Sequence, residues 1–165
     1  MENENLGLQT MLDDAQMQLE REFASSSSLK DHAKTIIGVS SVVVSFFATF
    51  KVFDNVVSQS NTPLIILLIL IGLVYGALMI FAIKAASPFA LHAPIEPNIE
   101  NYTTAFAYKD ERIILSHQIN AYLKAILKNK DVIEKQSKLT NLINILLGVV
   151  VVLIISATVF SILMK

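Results

Sequence analysis

The sequence predicts an all-α membrane protein. It has three transmembrane helices and a cytoplasmic helical extension formed by the N-terminal tail and the segment before the last span. Three observations predict it. Of 165 residues, 53% are apolar and only 16% charged, against about a quarter charged in ordinary soluble domains. The deficit is local, since no Asp, Glu, Lys or Arg occurs over residues 35–50, 62–83 or 140–164. The second and third of these stretches hold 22 and 25 residues, and a bilayer core of ~30 Å needs roughly 20 helical residues. Finally, the Lys and Arg residues fall eleven to two on alternate sides of a three-span chain, which orients the tail and the segment after the second span to the cytoplasm. A soluble bundle of buried apolar helices is the competing fold.

Residues 1–34 read as a cytoplasmic amphipathic tail. Leu8, Leu12, Ala15 and Leu19 recur at spacings of four, three and four, one stripe on a helix. "ASSSS" at 24–28 predicts an interruption. Ser28 then serves as N-cap, with Asp31 three residues on, and the first spanning helix begins near Leu29. That span is expected over residues 35–57, with Val52, Phe53, Val56 and Val57 extending it past Lys51, whose long side chain snorkels to the interface. The second span is expected over 62–83. Pro88, Pro94 and Pro97 make 84–103 a linker that no continuous helix crosses. From 104 to 139 a stalk is expected. Ile119, Ile126 and Ile133 are seven apart and interleave with Leu115, Tyr122, Asn129 and Gln136, a heptad seam with polar members. The stalk leads into the third span, 140–164, so that one helix of about 60 residues and ~90 Å is expected unless a kink at 137–141 divides it.

Small residues mark the helix faces expected to associate. Gly72 and Gly76 have the GxxxG spacing, and Gly38, Ser41, Ser45 and Ala48 form a ridge in the first span. Packing among the three spans and a subunit interface both fit that ridge. No span carries a central charge, which argues against a dedicated ion carrier. The N-terminus "MENENLGLQT" is acidic and lacks the basic start of a secretory signal. With no cysteine, disulfides, thiol nucleophiles and Cys-based metal sites are unavailable. A net charge of −1 gives no general attraction to nucleic acid. None of the common hydrolase, phosphate-loop or dinucleotide motifs is present, and no metal site or catalytic residue is expected. His32, His92 and His117 share no ligand spacing. "RIILSH", Arg112 to His117, matches the loose R-x4-H pattern of HEPN ribonucleases, with Ile113 where that family carries a polar residue. Tyr102, Tyr108 and Tyr122 with nearby basic residues fit either a small anionic-ligand pocket or packing at the membrane surface.

The run "LKDHAKTIIGVSSVVVSFF", a second span, a Pro-containing linker and "YLKAILKNKDVIEKQSKLTNLINILLGVVVVLI", with Asn129 and Lys135 to Lys138 ahead of the last span, together resemble a known family. The pattern is similar to the transmembrane effectors of the Pycsar (cyclic-pyrimidine) anti-phage systems, and more distantly to SLATT-type membrane effectors, over about residues 10–164. The resemblance implies a multi-pass protein of the bacterial inner membrane with a cytoplasmic N-terminus. It implies cyclic CMP or cyclic UMP, made by an associated cyclase, as regulatory ligand. It implies a homo-oligomer that impairs the bilayer and causes abortive infection. The nucleotide pocket would be built from tail and stalk, with Lys30, Asp31, Lys34, Tyr108, Arg112 and Lys124 as candidates. Two other readings stand beside it: a membrane scaffold or accessory subunit docking a partner through its cytoplasmic helices, and a membrane-tethered HEPN-like ribonuclease.

Overall fold

The computed structural model describes residues 2–49, 62–94 and 110–163, and side chains within them from residue 5 to 45, 62 to 94 and 110 to 163. Among the described residues there are three α-helices and no strand: α1, Glu2–Thr49; α2, Thr62–Ala86; and α3, Glu111–Leu163. The chain divides into two compact units. The first comprises Met1–Ser27 with Phe89–Lys135, the second Ser28–Pro88 with Gln136–Lys165. Each unit takes part of α1 and part of α3.

Burial repeats every seven residues in all three helices. In α1 it falls at Leu12, Leu19, Ser26, Ala33 and Ser40; in α2 at Leu64, Ile71, Leu78 and Ala85; in α3 at Asn129, Gln136, Ile143, Val150 and Ala157. Seven residues fall just short of two full turns, so such a series keeps to a narrow seam only if the helices coil slightly around one another. In the first unit the partners rise in number together. Leu12 packs with Leu115 and Ile119, and Ala15 and Leu19 pack with Ala125 and Ile126. Asn5 bonds to Glu111 and Gln16 to Tyr122, both at a separation of 106. Here α1 and α3 are therefore a parallel pair in constant register.

In the second unit α2 joins them and runs the other way. Its early residues Leu64 and Ile71 meet Ala157 of α3, and its later residues Leu78, Ala82 and Ala85 meet Ala33, Ile36 and Ile143. Alanines at the seam let the backbones approach, a common means of holding helices together in lipid. The outside of this unit is apolar too. Ile66, Ile69, Leu73 and Ile80 of α2 and Val152 and Ile155 of α3 are all exposed.

Two helices, Thr62–Ala86 and Glu111–Leu163, are long and apolar enough to cross a membrane, and only 17% of the most apolar stretch of each is buried. The sequence predicts three such helices. The first falls short among the described residues: from residue 35, α1 continues only to Thr49, about 22 Å at 1.5 Å per residue. Residues 50–57, which the sequence assigns to the same span, lie outside the described residues. The expected break at the serines is also absent. α1 passes through residues 24–28 without a new start at Leu29. Serine is a poor helix former by only roughly half a kcal/mol against alanine, and packing along the seam, where Ser26 is buried, outweighs it. α3 likewise passes through 137–141 unbroken and spans 53 residues, about 80 Å. Residues 95–109, including the expected start of the stalk at 104, lie outside the described residues.

Candidate functional site

The first unit alternates apolar and polar layers along the α1–α3 pair. At its open end Asn5 Nδ2 donates to Glu111 Oε2 at 3.1 Å, and Arg112 Nε donates to Asn5 Oδ1 at 3.3 Å. Arg112 also lines a shallow groove of about 430 Å³ with Gly7, Leu8 and Met11. An apolar layer of Leu12, Leu115 and Ile119 follows. Next comes a bond of 3.4 Å from Gln16 Nε2 to the Tyr122 hydroxyl, then the layer of Ala15, Leu19, Ala125 and Ile126.

The deepest polar layer is built on Asn129, which is fully buried. It sits at the heptad position that follows Leu115 and Tyr122, so the helix repeat itself carries a polar side chain into the seam. Its Oδ1 accepts from the His92 backbone N–H at 2.7 Å, and its Nδ2 donates to the His92 carbonyl at 3.1 Å. One side chain thus satisfies both backbone groups of a residue in the segment after α2. The Glu22 carboxyl lies beside the Asn129 amide. Burial pushes the Glu22 carboxyl up from the usual carboxylate range, and the hydrogen bond from Asn129 opposes this only in part. Glu22 Oε2 is buried with no hydrogen-bond partner. An unpartnered oxygen in a half-buried carboxyl costs free energy, which makes this layer the candidate site of the first unit.

The residues singled out from sequence fall into two groups. Arg112 and Lys124 belong to the first unit, about 18 Å apart along α3. Lys30, Asp31 and Lys34 belong to the second, where Lys34 Nζ pairs with Asp31 Oδ1 at 3.0 Å on an exposed surface. Pairs of this kind contribute little. Tyr108 lies outside the described residues. The R-x4-H pair does not converge on α3: Arg112 is held to Asn5, and His117 is exposed about 140° around the helix axis from it.

Of the small residues singled out from sequence, Gly38 and Gly72 are exposed and Gly76 is half-buried. A Cβ at Gly38, Gly72 or Gly76 would meet nothing within 4 Å among the described residues. Ser41 and Ser45 are exposed, and their hydroxyls donate to carbonyls four residues back, Ile37 O and Ser41 O, each at 2.8 Å. The hydroxyls are therefore satisfied without a neighbouring helix. Of Ala48 only its place in α1 is described. The serine at the inter-helix contact is Ser40, fully buried, whose hydroxyl reaches Ile37 O at 3.0 Å and Met79 Sδ at 3.8 Å. A second inter-helix bond of this unit joins His32 Nε2 and Asn144 Oδ1 at 3.0 Å.

Glu22 and His92 are not picked out by motif. Glu22 is recoverable by continuing Leu8 and Ala15 by another seven residues. His92 is not, because only its backbone takes part. No metal-ligating group of three His, Asp or Glu side chains occurs among the described residues. Comparison with protein-family models, curated proteins and solved structures finds no match to the chain.

Proposed function

We propose that the chain is a multi-pass protein of the bacterial inner membrane, crossing it at residues 35–57, 62–83 and 140–164 with its N-terminus in the cytoplasm. In this reading it is a non-enzymatic effector of cyclic-nucleotide-triggered anti-phage defence. Cyclic CMP or cyclic UMP from an associated cyclase acts at the cytoplasmic part, the chain oligomerises, and the membrane is impaired. The observation that carries the membrane assignment is the outer face of the second unit, where Leu73 and Ile80 are each 68% exposed and Val152 is 62% exposed. A surface as apolar as the seam beneath it suits a lipid solvent. The defence assignment rests on the resemblance of helix pattern and polar positions.

The mechanism asks a ligand to bind one arrangement of the helices better than another. α3 is one helix from Glu111 to Leu163, so a rotation imposed on its charged half is communicated along its own backbone. The test is expression in bacteria loaded with a membrane-potential dye, with cyclic CMP, cyclic UMP or cyclic AMP supplied. Depolarisation with a pyrimidine nucleotide alone supports the reading; none with any nucleotide overturns it.

A scaffold role is favoured by a separate observation. The first unit exposes Leu6 at 68%, Met11 at 58% and Leu127 at 69%. If these face a partner protein, that partner co-purifies in fixed ratio with the wild-type chain and is lost from a Leu127→Glu variant.

A further inference from the structure

We propose that lysines at one end of the second unit, Lys30 and Lys34 on α1, Lys84 on α2 and Lys138 on α3, form a belt that binds the phosphates of negatively charged phospholipids. The proposal rests on the membrane assignment above and needs neither a nucleotide nor self-association.

Two inter-helix contacts set the levels. Ser40 on α1 meets Met79 on α2, which runs the other way. Lys34 lies six residues before Ser40 and Lys84 five residues after Met79, so the two stand at the same level within about 2 Å at 1.5 Å per residue. His32 on α1 meets Asn144 on α3, which runs the same way. Lys30 is two residues before His32 and Lys138 six before Asn144, which puts them about one and two turns farther out than Lys34. All four lysines belong to the end where α1 and α3 enter the unit. Lys34, Lys84 and Lys138 are exposed and Lys30 is half-buried. Thr35, Asn141 and Asn144, also exposed, add short polar side chains at the same end.

The charge of this end is nearly all of one sign. Among the described residues of the second unit Asp31 is the sole carboxylate, and it pairs with Lys34 at 3.0 Å. That pair is exposed and screened by solvent, so Lys34 exchanges it readily for a phosphate. Lys138 has an interaction of its own, and Glu134 stands one turn before it on α3, so the net positive charge is carried by Lys30 and Lys84. Past the belt, residues 35–49, 62–83 and 139–163 hold no ionised side chain. The lysines therefore stand where the apolar outer face begins. There a lysine lays its stem on the apolar surface and presents its ammonium group to the headgroups. The four are spread over three helices, and none lines the groove at Pro63, Leu70 and Phe160 or the groove at Gly7 and Met11. Separated charges at the rim of an apolar wall match a lipid surface, which presents phosphates side by side, better than they match one small anion.

The test is thermal unfolding of the full chain in uncharged detergent micelles titrated with phosphatidylglycerol, with phosphatidylcholine or with inorganic phosphate. Phosphatidylglycerol should raise the midpoint, and the other two should not. Lys30→Gln and Lys84→Gln should each raise the half-saturating phosphatidylglycerol by about fivefold, the factor a lysine contributes at an anionic membrane surface. Asp31→Asn should lower it by a similar factor. Lys128→Gln, about 15 Å from Lys138 along α3 and beyond the ~10 Å screening length, should leave it unchanged. The belt is overturned by an equal response to phosphatidylcholine or to inorganic phosphate, by lysine variants at 30 and 84 that respond like wild type, or by an equal loss in Lys128→Gln. Flotation with phosphatidylcholine vesicles separates this from the assignment beneath it. A chain that floats yet shows no preference for phosphatidylglycerol overturns the belt alone; one that stays in the soluble fraction overturns the membrane assignment as well.

Discussion

Ile126 and Leu127 are neighbours on α3 with opposite surroundings, and truncating each to alanine tests the parallel pairing of the first unit. Ile126 is 6% exposed and packs with Ala15, Leu19 and Ala125. Leu127 is 69% exposed. Ile126→Ala removes three carbons at about 0.8 kcal/mol per buried CH2 and adds a cavity term, which the two small alanines of the cluster cannot collapse to fill. A loss of about 2–3 kcal/mol is expected. Leu127→Ala should cost less than about 0.5 kcal/mol, the usual range for a surface change. Because opening of this unit alone is the relevant event, the assay is amide-exchange protection across residues 115–130, where the first variant should fall by roughly 30-fold or more and the second by less than about threefold. Equal losses would refute the pairing, since they would mean that Leu127 is as buried as Ile126 in the working state. A larger loss for Leu127→Ala would put the seam on the wrong face of α3 altogether.

Other outcomes follow from the same contacts. Folded Glu22 holds its proton to higher pH than the unfolded chain does, so the folded state binds more protons between the ordinary glutamate range and the raised value, and stability falls as pH rises through that window. Urea midpoints should show this slope in wild type and a flat line in Glu22→Gln; a wild-type stability that rises with pH there would contradict it. Gly38→Ile and Gly72→Ile should not lower the unfolding midpoint, since nothing among the described residues lies within 4 Å of either site and isoleucine is the better helix former, while weakening any self-association that uses those faces in a cross-linking assay. Ser25→Ala and Ser27→Ala, both exposed, should each stabilise α1 by a few tenths of a kcal/mol, read as a rise in melting temperature; a loss would mean these hydroxyls are needed. His32→Ala should cost about 1 kcal/mol or less, the ordinary worth of one hydrogen bond to Asn144.

The helices were legible where the residue types agree with the period. Ile119, Ile126 and Asn129 mark the seam of α3 as plainly in sequence as in space, and the charge-free stretch at 62–83 falls within α2. The serines at 24–28 misled because local preference and tertiary packing disagree there. A run of residues that favour caps reads as a stop, whereas the seven-residue series Leu12, Leu19, Ser26, Ala33 carries the helix through. The small residues were legible only in part. Spacing shows which side chains share a face, and it does not show which face is turned to a neighbour. Gly38 and Ser41 share one, yet the packed face carries Ala33, Ile36 and Ser40. The Asn129 site was half legible: a polar residue at a seam position is visible, but its partner is a backbone peptide 37 positions away that no side-chain pattern announces.

The fixed offset between the two helices of the first unit has a consequence for how such a chain tolerates change in length. Glu22 stands opposite Asn129 because both count in sevens from Leu8 and Leu115. Excising residues 12–18 together with 119–125 takes out one whole storey and returns each surviving seam residue to a matched neighbour. Excising either segment alone leaves the carboxylate facing a different rung. Relatives of differing size should therefore vary by whole heptads, and in both helices at once.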